Sequence, residues 1–233
     1  MAARSGSKSL PDKNIRLLGG YPLLAYRILT GLASSYSHDL WISTDSDKYA
    51  EIAEKFGATK PFLRPAELSD DKALSADVVL HAMNHASSIG LEYDYIGLLE
   101  PTSPFVRTLE LDQAIAELES NAAARGIVAV KEAVPNKMFV QENSKYLSTL
   151  SENLKKLKRL DRQAFSMEIT PSGGFYISRW EDFLKFKTFY TELTLSSLLE
   201  GISTLEIDEP LDWLFAEFII DKALFDIKEV FKI

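Results

Sequence analysis

LWISTDSDKYAEIAEKFG, residues 40–57, is the stretch whose reading decides the fold. Leu40-Trp41-Ile42 is a short apolar run of the kind that forms a buried strand. Ser43-Thr44-Asp45 follows as a polar turn. Asp45-Ser46 then caps a helix that runs to Phe56 and stops at Gly57. A strand, a tight loop and a capped helix together make half of a βαβ unit. The same rhythm extends in both directions. Upstream, Leu23 to Ser35 reads as a helix after the Gly20-Tyr21-Pro22 turn. Downstream, Ser75 to Ile89 reads as a capped helix stopped by Gly90. Tyr95 to Leu99 reads as a strand, Thr108 to Glu119 as a helix and Ile127 to Val130 as a strand. This alternation predicts an α/β fold, Rossmann-like, with a mainly parallel sheet and helices on both faces.

After Val130 the rhythm breaks. Residues 131–172 contain Pro135, polar residues and the basic cluster Lys155-Lys156-Leu157-Lys158-Arg159, which reads as a solvated helix face. Gly173 to Ser178 and Leu205 to Ile207 are the next expected strands, and Asp212 to Leu224 is the last expected helix. The chain thus reads as one domain over 1–233, with 131–172 as an excursion from the sheet.

Composition limits what the fold does. The 233 residues carry 34 acidic and 26 basic side chains, a formal charge of −8. That balance argues against nonspecific binding to nucleic acid or to an anionic membrane. Cysteine is absent and the histidines number three, His38, His81 and His85, which excludes disulfides and thiol nucleophiles and argues against a structural zinc site. No apolar run approaches membrane-spanning length and no signal-peptide core is visible, so the expected location is cytoplasmic.

In open α/β sheets, ligands bind beyond the carboxyl ends of the strands. Four segments there carry chemistry. Ala3-Arg4-Ser5-Gly6-Ser7-Lys8, followed by Lys13-Asn14, combines small residues with Arg4, Lys8 and Lys13, so backbone amides and cations can face phosphate oxygens. Its glycine spacing is not that of a Walker loop. On composition alone it reads more readily as a floppy tail. Leu63-Arg64-Pro65-Ala66-Glu67-Leu68, with Ser75 beyond, offers a proline-fixed arginine. Glu100-Pro101-Thr102-Ser103-Pro104, with Arg107, is a loop stiffened by two prolines. Glu206-Ile207-Asp208, read as a strand, places two carboxylates on one face, where a cation between them would relieve their repulsion. Asp208 or Asp212 as a helix cap is the alternative there.

Taken in order, the runs ARSGSKSLPDKN (3–14), STDS (43–46), LRPAELSDD (63–71), EPTSPFVR (100–107), RQ (162–163), GGFYI (173–177) and EIDEPLD (206–212) resemble the acylneuraminate (CMP-sialic acid) cytidylyltransferase family over nearly the whole chain. The resemblance implies a Rossmann-like fold, with residues 131–172 as a small dimerisation excursion, and a homodimer. It implies the joining of CTP to an acidic nine-carbon sugar with release of pyrophosphate. Arg4, Ser7, Lys8 and Lys13 match the triphosphate loop. Asn14, Arg64 and Ser75 match positions that contact cytidine. Glu100, Lys137, Arg162 and Tyr176 match the sugar pocket. Asp208 matches a magnesium-binding aspartate, with Glu206 where the family has another, so the implied cofactor is Mg²⁺. Arg4, Lys8, Lys13 and Asp208 are the implied catalytic set.

The sequence also departs from the family. Glu100 replaces the usual glutamine of QPTSP, Thr170 stands where an arginine is frequent, and Ser172 stands where an asparagine would be. These changes make the sugar pocket more negative and point to a related bacterial nonulosonate such as legionaminate, or to a sugar with a basic or differently acylated substituent. Only Met1, Ala2 and Ala3 precede Arg4, so the strand under the phosphate loop is expected to be truncated. Two rival readings stand beside this one: a 3-deoxy-manno-octulosonate cytidylyltransferase and a catalytically silent nucleotide or sugar binder.

Overall fold

The computed structural model describes residues 1–233 except 8, 37–38, 71, 134–138, 141–147, 150–167, 228–229 and 231–233. The expected helices form where caps and periodicity place them. After a short hairpin of β1 (Leu17–Leu18) and β2 (Tyr21–Pro22) come α1 (Leu23–Leu32), α2 (Asp47–Lys55) and α3 (Ser75–Ser88). The Ser46 side chain accepts from the Tyr49 amide and so caps α2. Strand β3 (Tyr95–Leu98), α4 (Thr108–Ser120) and β4 (Gly126–Ala133) follow.

Among the described residues, the main sheet has four strands in the order β3, β7 (Glu168–Arg179), β4, β8 (Thr194–Leu198). β4 and β8 pair parallel, whereas β7 runs antiparallel to both of its neighbours, so the sheet is mixed. Residues 40–43 continue the parallel character, with bridges from Ser43 to Ala2 and from Trp41 to Thr59. The start of the chain is held by the Ala3 amide on Ser43 O (3.0 Å) and the Ser43 amide on Met1 O (2.9 Å). Beside this pairing lies a cavity of about 590 Å³, lined in part by Met1, Trp41, Tyr95, Leu98 and Trp180. The Met1 amine donates to Trp41 O at 2.7 Å. Burial, and then the Arg64 charge, push its pKa down to about 5.

Helices cover both faces of the sheet, and β4 shows why. Ile127 and Ala129 join Leu24, Ile28, Tyr49, Leu111 and Leu118 on one side. Val128 and Val130 join Val79, Met83, Trp180 and Phe183 on the other. Alternate side chains of a strand face opposite ways, so an uninterrupted apolar strand needs a cover on each side. A third cluster packs α6 (Pro210–Asp221) through Trp213, Ala216 and Ile219 onto Leu23, Tyr26 and Phe105.

Three sequence expectations change. Residues 205–207 are not a strand: they follow a 3₁₀ turn (Gly201–Thr204), and the Ile207 amide bonds to the loop carbonyl of Thr102 (2.8 Å) rather than to a ladder. Helix α5 (Trp180–Phe186) and β8 occupy the interval from 180 to 198, where the sequence signalled no element. The expected excursion narrows at both ends, since β4 runs on to Ala133 and β7 already begins at Glu168. Between them, β5 (Phe139–Val140) pairs antiparallel with β6 (Ser148–Thr149). The basic cluster 155–159 lies outside the described residues.

Candidate active site

The amino-terminal loop is folded, not a floppy tail. Asp45, two residues beyond the bridged Ser43, accepts from the Ser5 amide (2.9 Å) and from Ser5 Oγ (2.8 Å). Asn14 Nδ2 donates to Arg4 O at 3.1 Å, which closes the loop from its far side. Asn14 is thus engaged with the loop's own backbone. Asp12 adopts a left-handed φ of 53° and accepts from the Tyr49 hydroxyl at 3.0 Å. Ser7 is half-buried in this loop, and Lys8 lies outside the described residues.

Lys13 joins the two ends of the chain. Its ammonium donates to Ile207 O at 2.7 Å and to Asp208 Oδ1 at 2.9 Å. Ser9 Oγ donates to the Asp208 carbonyl. The lysine is buried while the Asp208 side chain is 66% exposed, so the carboxylate presents its second oxygen outward. Asp212 accepts from the Asp208 and Glu209 amides at 2.9 and 2.8 Å and caps α6. Of the two acids weighed for that cap, Asp212 serves and Asp208 is left free to face the cleft.

Glu206 does not stand beside Asp208 as a strand partner would. It pairs with Lys131 at 2.6 Å, and its other oxygen points at Gly173. There β7 bulges: from Val128 to Val130 on β4, the partner on β7 moves from Tyr176 to Pro171. Gly173 takes φ +65°, and a Cβ built on it would lie 2.8 Å from Glu206 Oε2, 3.0 Å from Ser103 Oγ and 3.1 Å from Glu100 Oε2. Gly173→Ala is therefore expected to destabilise the fold by about 1–3 kcal/mol in backbone strain and contact and to displace both glutamates. Gly90→Ala is the control, since Gly90 has φ +77° but nothing within 4 Å of its Cβ position. Thermal melts of the pair check this, and equal losses would remove the contact.

Burial, reinforced by Glu206 and then Asp208, pushes Glu100 up to about 7 from 4.5. In metal-free protein the folded state then holds a proton that the unfolded chain releases between pH 4.5 and 7, so this group loses stability as pH rises through that window. Glu100→Gln mimics the protonated form. It should gain on the wild type from pH 4.5 to 8, by up to about 3 kcal/mol, in denaturant melts made with a chelator. A constant difference across that range would contradict the assignment. Tyr176 packs against Phe189 and Tyr190, with ring centroids 5.6 and 6.3 Å away. Burial, then Glu100, raise its pKa.

Arg64 is buried and donates from Nε to Ser69 Oγ at 3.2 Å. Its NH2 lies 4.0 Å from Asp45 Oδ1 and has no hydrogen-bond partner among the described residues. Ser75 is exposed at the first position of α3. Lys137 and Arg162 lie outside the described residues. Three participants went unassigned from sequence: Asp45, Lys131 and Arg27. Arg27 is completely buried and donates to Val106 O (3.0 Å) and Gly174 O (2.7 Å), so it ties the proline-stiffened loop to the bulge.

For magnesium, the donor set fits in part. Mg²⁺ takes hard oxygens, commonly one or two carboxylates completed by substrate phosphates. Asp208 offers a free carboxylate oxygen of that kind. Glu206 is already neutralised by Lys131 and faces the bulge, so it does not fit as the second ligand.

These features define the class: a Rossmann-like α/β protein whose basic amino-terminal loop is closed by an acidic carboxyl-terminal segment at the strand ends. The chain belongs to the cytidylyltransferase family, whose model matches residues 1–207. It is 33% identical over 220 residues to an N-acylneuraminate cytidylyltransferase of Escherichia coli O18:K1:H7, covering 94% of this chain and 51% of that protein. It therefore spans about half the length of that relative. It is 30% identical to the CMP-N,N'-diacetyllegionaminic acid synthase of Legionella pneumophila, covering 94% of each chain. A solved CMP:2-keto-3-deoxy-manno-octonic acid synthetase complexed with CTP shares the fold, with a TM-score of 0.67, 14% identity, and 95% and 97% of the two chains covered.

Proposed function

We propose that this protein transfers the cytidylyl group of CTP to a nonulosonic acid and releases pyrophosphate. The observation that carries the reading is the Lys13–Asp208 contact at 2.9 Å, which brings the basic loop and the acidic segment to one cleft. The sugar's anomeric hydroxyl oxygen forms a bond to the α-phosphorus. The bond from that phosphorus to the bridging oxygen breaks, pyrophosphate leaves with the electron pair, and the hydroxyl proton goes to a base. Arg4, Lys8 and Lys13 offset the charge that grows on the leaving oxygens, and amides of the folded loop add fixed dipoles. Mg²⁺ held by Asp208 and phosphate oxygens would supply further neutralisation of that charge. Arg64, with its open buried donor, is placed to read the base. Glu100 and Tyr176, with Lys137 and Arg162, form the sugar side.

The Legionella relative, matched over 94% of its length, supports a nonulosonate, whereas the octulosonate enzyme shares only the fold. The reading extends to a cytoplasmic homodimer, which light scattering tests. No described helix is long and apolar enough to cross a membrane. The test of function is pyrophosphate release from CTP and Mg²⁺ with a panel of nonulosonates and octulosonate. Release with a nonulosonate is expected. Release with octulosonate alone, or CTP binding without release, would replace the reading with one of its rivals.

A further inference from the structure

Glu100 lies two residues beyond β3 in the site, yet its carboxyl accepts no hydrogen bond from any described residue. Its Oε2 converges with Glu206 Oε2 and Ser103 Oγ on the small volume that Gly173 leaves open. Both glutamate oxygens are acceptors when ionised, so this wall has a surplus of acceptors around that volume. Among the described residues, the cations nearby do not fill it. Lys131 is engaged with the other oxygen of Glu206 at 2.6 Å, and Lys13 is engaged with Asp208 and the Ile207 carbonyl. Arg27 sits behind the wall, with its terminal nitrogens committed to the Val106 and Gly174 carbonyls. On the adjoining side stand the phenol rings of Tyr176 and Tyr190, at 77° to one another, and Tyr190 is half exposed. Glu100 is among the charges that raise the pKa of both phenols, which places them in its field.

An acceptor wall beside aromatic faces matches a ligand group that is both a donor and a cation. We infer that the pocket is built for a nonulosonate carrying a cationic nitrogen substituent, an amidinium or an ammonium, at the position that meets Glu100 and Glu206. A neutral acylamido group brings a carbonyl oxygen but no positive charge to this wall, so the two carboxyls gain no counter-charge from it. An amidinium has nearly the same shape and replaces that oxygen with an N–H donor. Glu100 and Glu206 thereby become specificity-determining residues. The inference rests on the cytidylyltransferase reading of the same site.

The isosteric pair gives the test. Pyrophosphate release from CTP and Mg²⁺ is measured with a nonulosonate bearing acetamido groups and with the same sugar converted to acetamidino at each nitrogen-bearing carbon in turn. For one of the amidino sugars, the wild-type kcat/KM should exceed that of the acetamido sugar at least tenfold, mainly through KM. Glu100→Gln should reduce that ratio to about one. A wild-type ratio near one, or one favouring acetamido, overturns the inference and leaves the cytidylyltransferase reading intact. A tenfold ratio unchanged in Glu100→Gln overturns the assignment to this wall. No release with any of the sugars overturns the cytidylyltransferase reading, and the inference with it.

Discussion

Arg27→Ala is expected to destabilise the protein by about 4 kcal/mol. The guanidinium is completely buried, and two of its nitrogens satisfy the Val106 and Gly174 carbonyls. Truncation removes that donor from the buried Gly174 carbonyl, leaves the Val106 carbonyl only the longer bond from Thr30 Oγ1 (3.3 Å), and opens a cavity the size of the lost side chain. Each unpaired buried carbonyl costs about 1–3 kcal/mol, and the cavity adds to that. In a chain of 233 residues the midpoint of thermal unfolding should fall by roughly 8–16 °C. Arg27→Met refills much of the volume and should recover part of the loss. A drop below about 1 kcal/mol for Arg27→Ala would mean that the loop and the bulge are held together by something else.

Asp208→Asn should reduce turnover at least about 100-fold while CTP affinity changes only a few-fold. Asparagine keeps the shape and can still accept from Lys13, so the loop stays closed. What it loses is the charge, and with it a ligand for the metal that accompanies the leaving pyrophosphate. Steady-state rates, set beside calorimetric CTP binding, separate these effects. Unchanged turnover would remove the metal assignment from Asp208.

The helices were legible because local chemistry marks them: Ser46 caps α2, and each face of β4 repeats an apolar side chain every second residue. Strand direction was not legible. Apolar alternation is the same whichever way a strand runs, so the reversal of β7 could not be read from GGFYI. Leu205 to Ile207 misled because a short apolar run is needed by any buried segment, and here it packs under α6 and bonds to a loop. In the site, motif order brought the basic loop and the acidic segment together on paper, but not the atoms. Lys13 meets Asp208 across 195 positions of sequence and Lys131 meets Glu206 across 75. Lys131 carried one usable signal, a charge directly after the apolar run Ile127 to Val130 at a strand's carboxyl end. Arg27 carried none, since a single arginine in LLAYRILTGL reads as the solvent side of a helix.

The central claim is that one cleft, bounded by the 4–13 loop on one side and Asp208 on the other, holds the nucleotide. A crystal structure with CTP and Mg²⁺ tests it most directly. The triphosphate should lie against the Ser5–Lys13 loop, with Asp208 within coordination distance of a metal bound to it and the base beside Arg64. Nucleotide density anywhere else, with the Lys13–Asp208 pair facing only solvent, would contradict the account.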